Sequence, residues 1–510
     1  MGNSRSHFSN FLNLTGYYFM DNQTLRKKII GGLLGKAVGG TLGAPPYEGC
    51  TGPLKLKFYD PVPDKMLPND DLDLQILWAC KLQDDWNGVL SCENFARAWV
   101  ENVGFPWDEY GVAIKNIRLG IKGSAIGSYD NAFCDGMGAA IRSELWAFLA
   151  PGNPALAVKY ASMDGCIDHC GSGLEAEIFL AALESMAFVE SDVRKLIDCG
   201  ASFLPAGSYL KKLVRNTVKI CRSTNSTLKI RKALREEYAC HNFTDVHVNI
   251  AFMIAALLIG KGDFSKTICT AVNFGCDTDC TGATVGALLG IIDPDCIEDK
   301  WLKPIGHDLV VSKEITGINP PATLDEFADL VISLKDKITI TDDSVWELPE
   351  EKYEISGTCR YATKLFAGDF RKFPVPKDGS IEEVAFSGNF VNVDFSKHQP
   401  DSYAIYEIDF EVKSAGAYKV LVSTTAGMRT WVDTKYCFGQ EAGPFLPAFH
   451  RAPLNQSAVI ELAAGKHTLA IGVTPNSDDM TEAPLLFGIG GMDDQYIPDA
   501  FYRPVLNNGK

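Results

Sequence analysis

The sequence predicts a multidomain chain, an all-α domain followed by an all-β domain of jelly-roll or β-sandwich type. Three observations predict it. From about Leu25 to Leu334 apolar residues recur at spacings of three and four, the period of an amphipathic helix. Beyond Tyr353 the period falls to two, as in Tyr406, Ile408, Phe410 and Val412 and in His467, Leu469, Ile471 and Val473, each run beside a glycine-bearing turn. Two segments of the helical half carry glycine at every fourth position: Gly31, Gly35, Gly39 and Gly43, then Gly282, Gly286 and Gly290.

Taken in order, residues 1–20 read as an unstructured leader. Its apolar residues Phe8, Phe11 and Leu12 are interrupted by Ser and Asn, so no signal peptide is expected, and Met1-Gly2 with Ser6 fits only a short myristoylation pattern. The helical domain is expected over 21–340. In it Leu74, Leu77, Trp78 and Leu82 form one stripe, with Asn69-Asp70-Asp71 at the helix start. Glycine costs roughly 1 kcal/mol in a helix interior relative to alanine. Its repetition along one ridge therefore predicts two helices whose backbones approach closely. The run Ile250 to Ile259 is shorter than the ~18 residues of a membrane span and reads as a buried helix. An acidic linker is expected over 341–354 and the β-sandwich over 355–510. Trp431 and Tyr436 are exposed-looking aromatics, although such rings on a sandwich more often belong to its core than to a sugar platform; a carbohydrate ligand, a cover for the catalytic face and a dimer contact stay open as roles for this domain.

Composition narrows the function. Of 510 residues 46% are hydrophobic and 22% charged, so the chain buries ample cores. A formal net charge of −16 would repel a phosphate backbone, and neither nucleic acid nor membrane is an expected partner. Fifteen cysteines, an odd number without scaffold-like spacing, suit a reducing compartment, and a cytoplasmic location is expected.

The chemistry concentrates in two acidic clusters about two hundred residues apart, Asn69-Asp70-Asp71 and Asp277-Thr278-Asp279-Cys280-Thr281. Hard divalent cations select carboxylate and carbonyl oxygens, so two converging clusters could hold metal, polarise a hydroxylated substrate and orient a water. Other readings stay open from spacing alone. Both clusters sit where Asp and Asn cap helices. Asp277, Asp279 and Thr281 also satisfy the D-x-D-x-T signature of haloacid-dehalogenase phosphatases, which should follow a strand. Cys166, His169, Cys170, Cys276 and Cys280 invite a zinc reading.

The stretch GGLLGKAVGGTLGAPPYE from Gly31 to Glu48 resembles the opening helix of the ADP-ribosylglycohydrolase family. NDDLDLQ at Asn69 to Gln75 resembles its T-D-D-T segment, and GCDTDCTGATVGALLG at Gly275 to Gly290 its G-x-D-T-D-T segment. MGAAIR at Met137 to Arg142 and the pair Asp168-His169 are similar to two further motifs. The resemblance implies a hydrolase of N- or O-glycosidic bonds at an anomeric carbon, acting on an ADP-ribosyl or related glycosyl substrate. It implies Mg²⁺ or Mn²⁺, two ions, held by Asn69, Asp70, Asp71, Asp277, Asp279 and Cys280, with Asp279 bridging. Glu48, Asp70 and Asp71 would be catalytic, and Glu48, Arg142 and His169 would bind substrate. The chain departs from the pattern at Gly40, Asn69, Leu72, Met137 and Cys280. A thiol is a poor ligand for Mg²⁺, so the second ion is the less secure. These departures leave a non-catalytic sugar- or nucleotide-binding protein as the alternative.

Overall fold

The computed structural model describes residues 20–341, 352–363, 382–386, 388–396, 402–501 and 503–505. The expected leader, Met20 aside, and residues 342–351 of the expected linker lie outside them. Helices run from Asn22 to Leu334. They begin where a short polar side chain can take up free backbone N–H groups: Asp21, Ser91, Asn153, Asp245 and Thr323 each accept from the first turn of the helix that follows.

At the centre, helix Asn22–Gly43 lies against helix Thr278–Ile292. The spaced glycines are the contact. A Cβ on Gly35 would stand 2.1 Å from the Gly286 carbonyl oxygen, one on Gly39 2.0 Å from that of Gly282, and one on Gly290 2.0 Å from that of Gly31. Partner numbers fall along one helix as they rise along the other, so the pair is antiparallel. Lys28 closes one end by donating to the carbonyls of Ile291 and Ile292 at 2.7 and 2.9 Å, satisfying the last turn of its partner. The other end, Gly43 against Thr278, sets the position of both acidic clusters. Around this pair the run Ile250 to Ile259 lies within helix Val246–Gly260, most of it buried. Among the described residues no helix is long and apolar enough to cross a membrane, and every cysteine is free.

The second half is built from antiparallel sheets. One has the order Ser457–Leu462, Gly416–Thr424, Glu482–Gly490, Phe390–Asp394. The other has the order Arg503–Val505, Lys352–Thr363, Ser402–Val412, Gly465–Thr474, Gly427–Val432, Lys435–Gln440, with Glu382–Phe386 also paired to Lys352–Thr363. Ile408 faces Leu469 across one ladder. Ring contacts join the two sheets, Phe386 to Phe487 at 5.8 Å and Phe410 through Phe501 to Phe487 at 5.3 and 5.4 Å. Trp431 is fully buried, but on the other face of its sheet: it pairs with Ala470 and its ring lies with Tyr403 over Gly472, while its neighbours Met428 and Val432 take the phase that faces the core.

The sandwich is docked on the helical domain. Asp130, in a left-handed conformation (φ 52°), accepts from the Asn389 and Phe390 amides at 2.7 and 2.9 Å. Buried Lys115 donates to Asn389 at 3.2 Å. Val112 and Phe133 of the helical domain share an apolar cluster with Leu421, Phe449 and Tyr496 of the sandwich.

The glycine contact gives a direct test. Gly286→Ala gains helix propensity but drives a methyl to 2.2 Å from the Gly35 carbonyl oxygen, and overpacking of this kind costs about 1 to 3 kcal/mol. Gly52→Ala, with nothing within 4 Å of its added Cβ, is the control. Thermal unfolding should show a lower midpoint for Gly286→Ala alone; equal midpoints would contradict the packing.

Candidate metal centre and active site

The end of the helix pair builds the site. Thr278 donates its hydroxyl to the Gly43 carbonyl at 2.5 Å, fixing the start of one helix against the end of the other. Beyond Gly43 the chain turns through Pro45-Pro46 to Glu48, and the turn is stitched to the approach of the late helix. Gly49 N–H donates to the Cys276 carbonyl at 2.9 Å and Cys276 N–H to the Cys50 carbonyl at 2.8 Å. Gly275 and Cys276 both take left-handed backbone there (φ 79° and 65°), and a Cβ on Gly275 would meet the Cys50 carbonyl at 2.3 Å. Asn249 completes the turn, accepting from Asp277 N–H at 3.2 Å and donating to the Phe243 and Asp245 carbonyls at 2.8 and 2.9 Å.

Two groupings of potential ligands result. Asp71, Asp279 and Cys280 each place one ligand atom within 4.8 Å of the others, and so do Glu48, Asp277 and Asp279. Asp279 belongs to both. The donors are chiefly carboxylates, the chemistry a hard divalent cation selects. Among the described residues Oδ2 of Asp277 and Oδ1 of Asp279 are buried with no hydrogen-bond partner, which fits a cation between them. Burial pushes the carboxyls of both far above the usual range, with Glu48 raising Asp277 and Asp277 raising Asp279. So many acids in one dry place call for positive charge.

The remaining sequence-derived candidates fall into three positions. Asp70 stands outside both groupings, and its Oδ2 accepts the Tyr110 hydroxyl at 3.0 Å. Asn69 spends its carbonyl oxygen capping its own helix, accepting from Asp71 N–H at 2.7 Å, while its amide donates to Asp279 at 3.2 Å. It therefore serves here as a cap and a brace, with one of the two lone pairs of its carbonyl oxygen taken by the cap. A Cβ on Gly40 would lie 3.2 Å from this amide, so the glycine at 40 leaves room for the asparagine at 69. Arg142 and His169 lie beneath the site with no exposed surface.

Arg142 is fully engaged, with Asp168 at 2.6 and 2.9 Å, Asp164 at 2.8 Å and the Gly138 carbonyl at 2.6 Å. His169 lies 3.0 Å from Asp168 and 3.3 Å from Glu109. Burial opposes its charged form, but those two carboxylates raise it to about 10, so it is an imidazolium at neutral pH. Asp168, despite burial, is held down to about 2 by Arg142 and His169. Direct substrate contact, expected for Arg142 and His169, is not available to side chains so enclosed. They form a buried ionic layer under the pocket, to which Glu177 also belongs.

Several residues of the site escape sequence reading. Lys36, buried in the glycine-rich helix, reaches Glu144 at 2.9 Å, Asp71 at 3.3 Å and the Ile141 carbonyl at 2.7 Å. A lysine amid an otherwise apolar, close-packed helix was its only signal. Glu109 sits against Gly136 and Gly138, where any Cβ would come within 2.6 Å of it. Arg451, from the β-sandwich segment Pro447-Ala448-Phe449-His450-Arg451, pairs with Asp108 and donates to Asn242 at 2.9 Å. The phosphatase reading falls because the Asp277 segment follows helix Phe264–Asn273 and not a strand. The zinc reading falls too: among the described residues neither metal-capable grouping contains Cys166, His169, Cys170 or Cys276.

Comparison with known proteins bears on this geometry. The model of the ADP-ribosylglycohydrolase family matches residues 21–337. No curated protein matches the chain. Among solved structures, an "ADP-ribosylglycohydrolase-related protein complex" is 19% identical with a TM-score of 0.43, over 62% of this chain and 100% of that one. A GH31 alpha-xylosidase from Xanthomonas citri is 15% identical with a TM-score of 0.16, over 28% of this chain and 16% of that one. A beta-glucosidase from Kluyveromyces marxianus in complex with glucose is 9% identical with a TM-score of 0.19, over 32% of this chain and 21% of that one. With the family match spanning more than half its length, the chain belongs to the ADP-ribosylglycohydrolase family.

Proposed function

We propose that this protein is a divalent-metal-dependent hydrolase that cleaves an N- or O-glycosidic bond at an anomeric carbon, in an ADP-ribosyl or related furanosyl substrate. The observation that carries the reading is the convergence of Glu48, Asp71, Asp277 and Asp279 into two ligand groupings that share Asp279. Magnesium or manganese bound there would supply Lewis acidity and orient sugar hydroxyls and a water. In this reading Asp71, Asp277 and Asp279 hold the metal, with Cys280 the weakest donor.

Glu48 is solvent-exposed where the aspartates are buried, so it is the carboxylate a substrate meets first. It is placed to accept a proton from a water or a sugar hydroxyl at the anomeric centre. Tyr110 keeps Asp70 oriented through its hydroxyl. Lys36, facing away from solvent, holds Asp71 and offsets part of the negative charge even before metal enters.

Two experiments test this. Release of ADP-ribose from an ADP-ribosylated peptide, and of sugar from a ribofuranoside, should require Mg²⁺ or Mn²⁺. Asp279→Ala and Asp70→Ala should each lower turnover about a hundredfold or more, and Glu48→Gln on the order of 10²-fold or more. Unchanged turnover in both aspartate variants would refute the reading, and tight ADP-ribose binding without product would favour a binding protein.

Manganese binding followed by electron paramagnetic resonance separates the two groupings without reference to activity. Asp277→Asn should lose one ion and Asp279→Asn both. Equal stoichiometry in the two variants would contradict a shared ligand.

A further inference from the structure

Arg451 belongs to the β-sandwich, outside the span matched by the family, yet its guanidinium reaches residues of the helical domain. It pairs with Asp108 and donates Nη2 to Asn242 at 2.9 Å. The rings of Phe243 and Phe133 lie 5.0 and 5.7 Å from it. Phe243 in turn is the residue a Cβ on Gly49 would touch, at 3.6 Å, so the guanidinium and the Glu48-Gly49 turn share one aromatic wall. Burial raises the Glu48 carboxyl, and the positive charge of Arg451 acts in the opposite direction.

We propose that Arg451 is a specificity-determining residue supplied by the second domain, and that it binds an anionic group of the substrate beside the sugar held at Glu48. This rests on the hydrolase reading above and deepens it, since it makes the preferred substrate a glycoside bearing phosphate or carboxylate. Three features support it. Among the described residues only Nη2 of the guanidinium has a hydrogen-bond partner, and while Nε is buried, Nη1 remains as a donor of fixed geometry for an oxyanion. The rings beside it and the interface around it limit screening by water. Its neighbours otherwise repel anions. Glu48, Asp108 and Glu109 are acids, and His450, 3.8 Å from Asp108, is pushed down to about 4 by burial and by Arg451 and is uncharged at neutral pH. An anionic substrate entering a pocket so acidic needs a cation nearby, and Arg451 is placed to be one.

The test uses the full-length protein with Arg451→Gln and Arg451→Lys, their unfolding midpoints checked against wild type. Calorimetry compares ADP-ribose as the anionic probe with adenosine as the uncharged one. Steady-state kinetics compares an ADP-ribosyl substrate with an uncharged ribofuranoside. Arg451→Gln should raise Kd and KM for the charged member of each pair about 30-fold, leave the uncharged member within about threefold and change kcat little. Arg451→Lys should recover part of the loss, because charge returns without the planar fork.

Equal weakening of both members would overturn the proposal, showing a structural role at the domain boundary. No weakening of either, or a wild type that does not bind ADP-ribose, would overturn it as well. The two readings fail separately. Charge-selective loss of binding without turnover in any variant would remove the hydrolase and keep the anion contact, whereas wild-type turnover of the charged substrate in Arg451→Gln would do the reverse.

Discussion

The structure depends on one contact, backbone against backbone, between the first helix and the late helix Thr278–Ile292. Seven glycines along two ridges let carbonyl oxygens of each helix occupy the space where side chains would stand. Each glycine costs roughly 1 kcal/mol of helix propensity, which close packing of the whole length must offset. What the contact secures is position. It delivers the start of the late helix, with Asp277 and Asp279, to the turn that carries Glu48, although about 230 residues separate them in the chain. Helices held apart by ordinary side chains would separate the same carboxylates.

Around that contact the protein arranges charge in layers. Nearest solvent are Glu48 and Arg451. Below them lie the buried carboxylates, crowded enough that burial and mutual repulsion disfavour their ionised forms. Beneath these the cations Lys36, Arg142 and His169 are each locked to carboxylates with no exposed surface of consequence. Ionic groups at such depth call for matched partners: Arg142 makes four contacts under 3 Å, whereas among the described residues both Glu177 carboxylate oxygens and Asp164 Oδ1 are buried with no hydrogen-bond partner. The layer holds the floor of the pocket rigid, which any chemistry above it requires.

The β-sandwich gains a structural meaning from its seat. Its aromatic residues fill its own core and the joint with the helical domain. Phe410, Phe487 and Phe501 are inside, and Phe449 and Tyr496 pack with Val112 and Phe133. The loop carrying His450 and Arg451 continues from this joint to Asp108 and Asn242 of the helical domain.

Much of this was legible in the chain itself. Helical and strand periodicity located the two halves, because apolar spacing reflects which face is buried whatever the partner. Glycine at intervals of four announced the close helix pair, and the acidic motifs announced the carboxylates that converge at its end, since both signals are local in sequence. Pairings between distant residues were not legible. Asn69 has a short polar side chain that can cap a helix or face a cation, and its neighbours in space settled on the cap. Arg142 and His169 matched family positions, but depth below the surface, a property of the packed domain, left them to the ionic floor. Arg451 stands in a segment, Phe449-His450-Arg451, whose local sequence does not name its partners. Its place among Asp108, Asn242 and Phe243 arises from the docking of two domains, a relation between surfaces that only the tertiary structure decides.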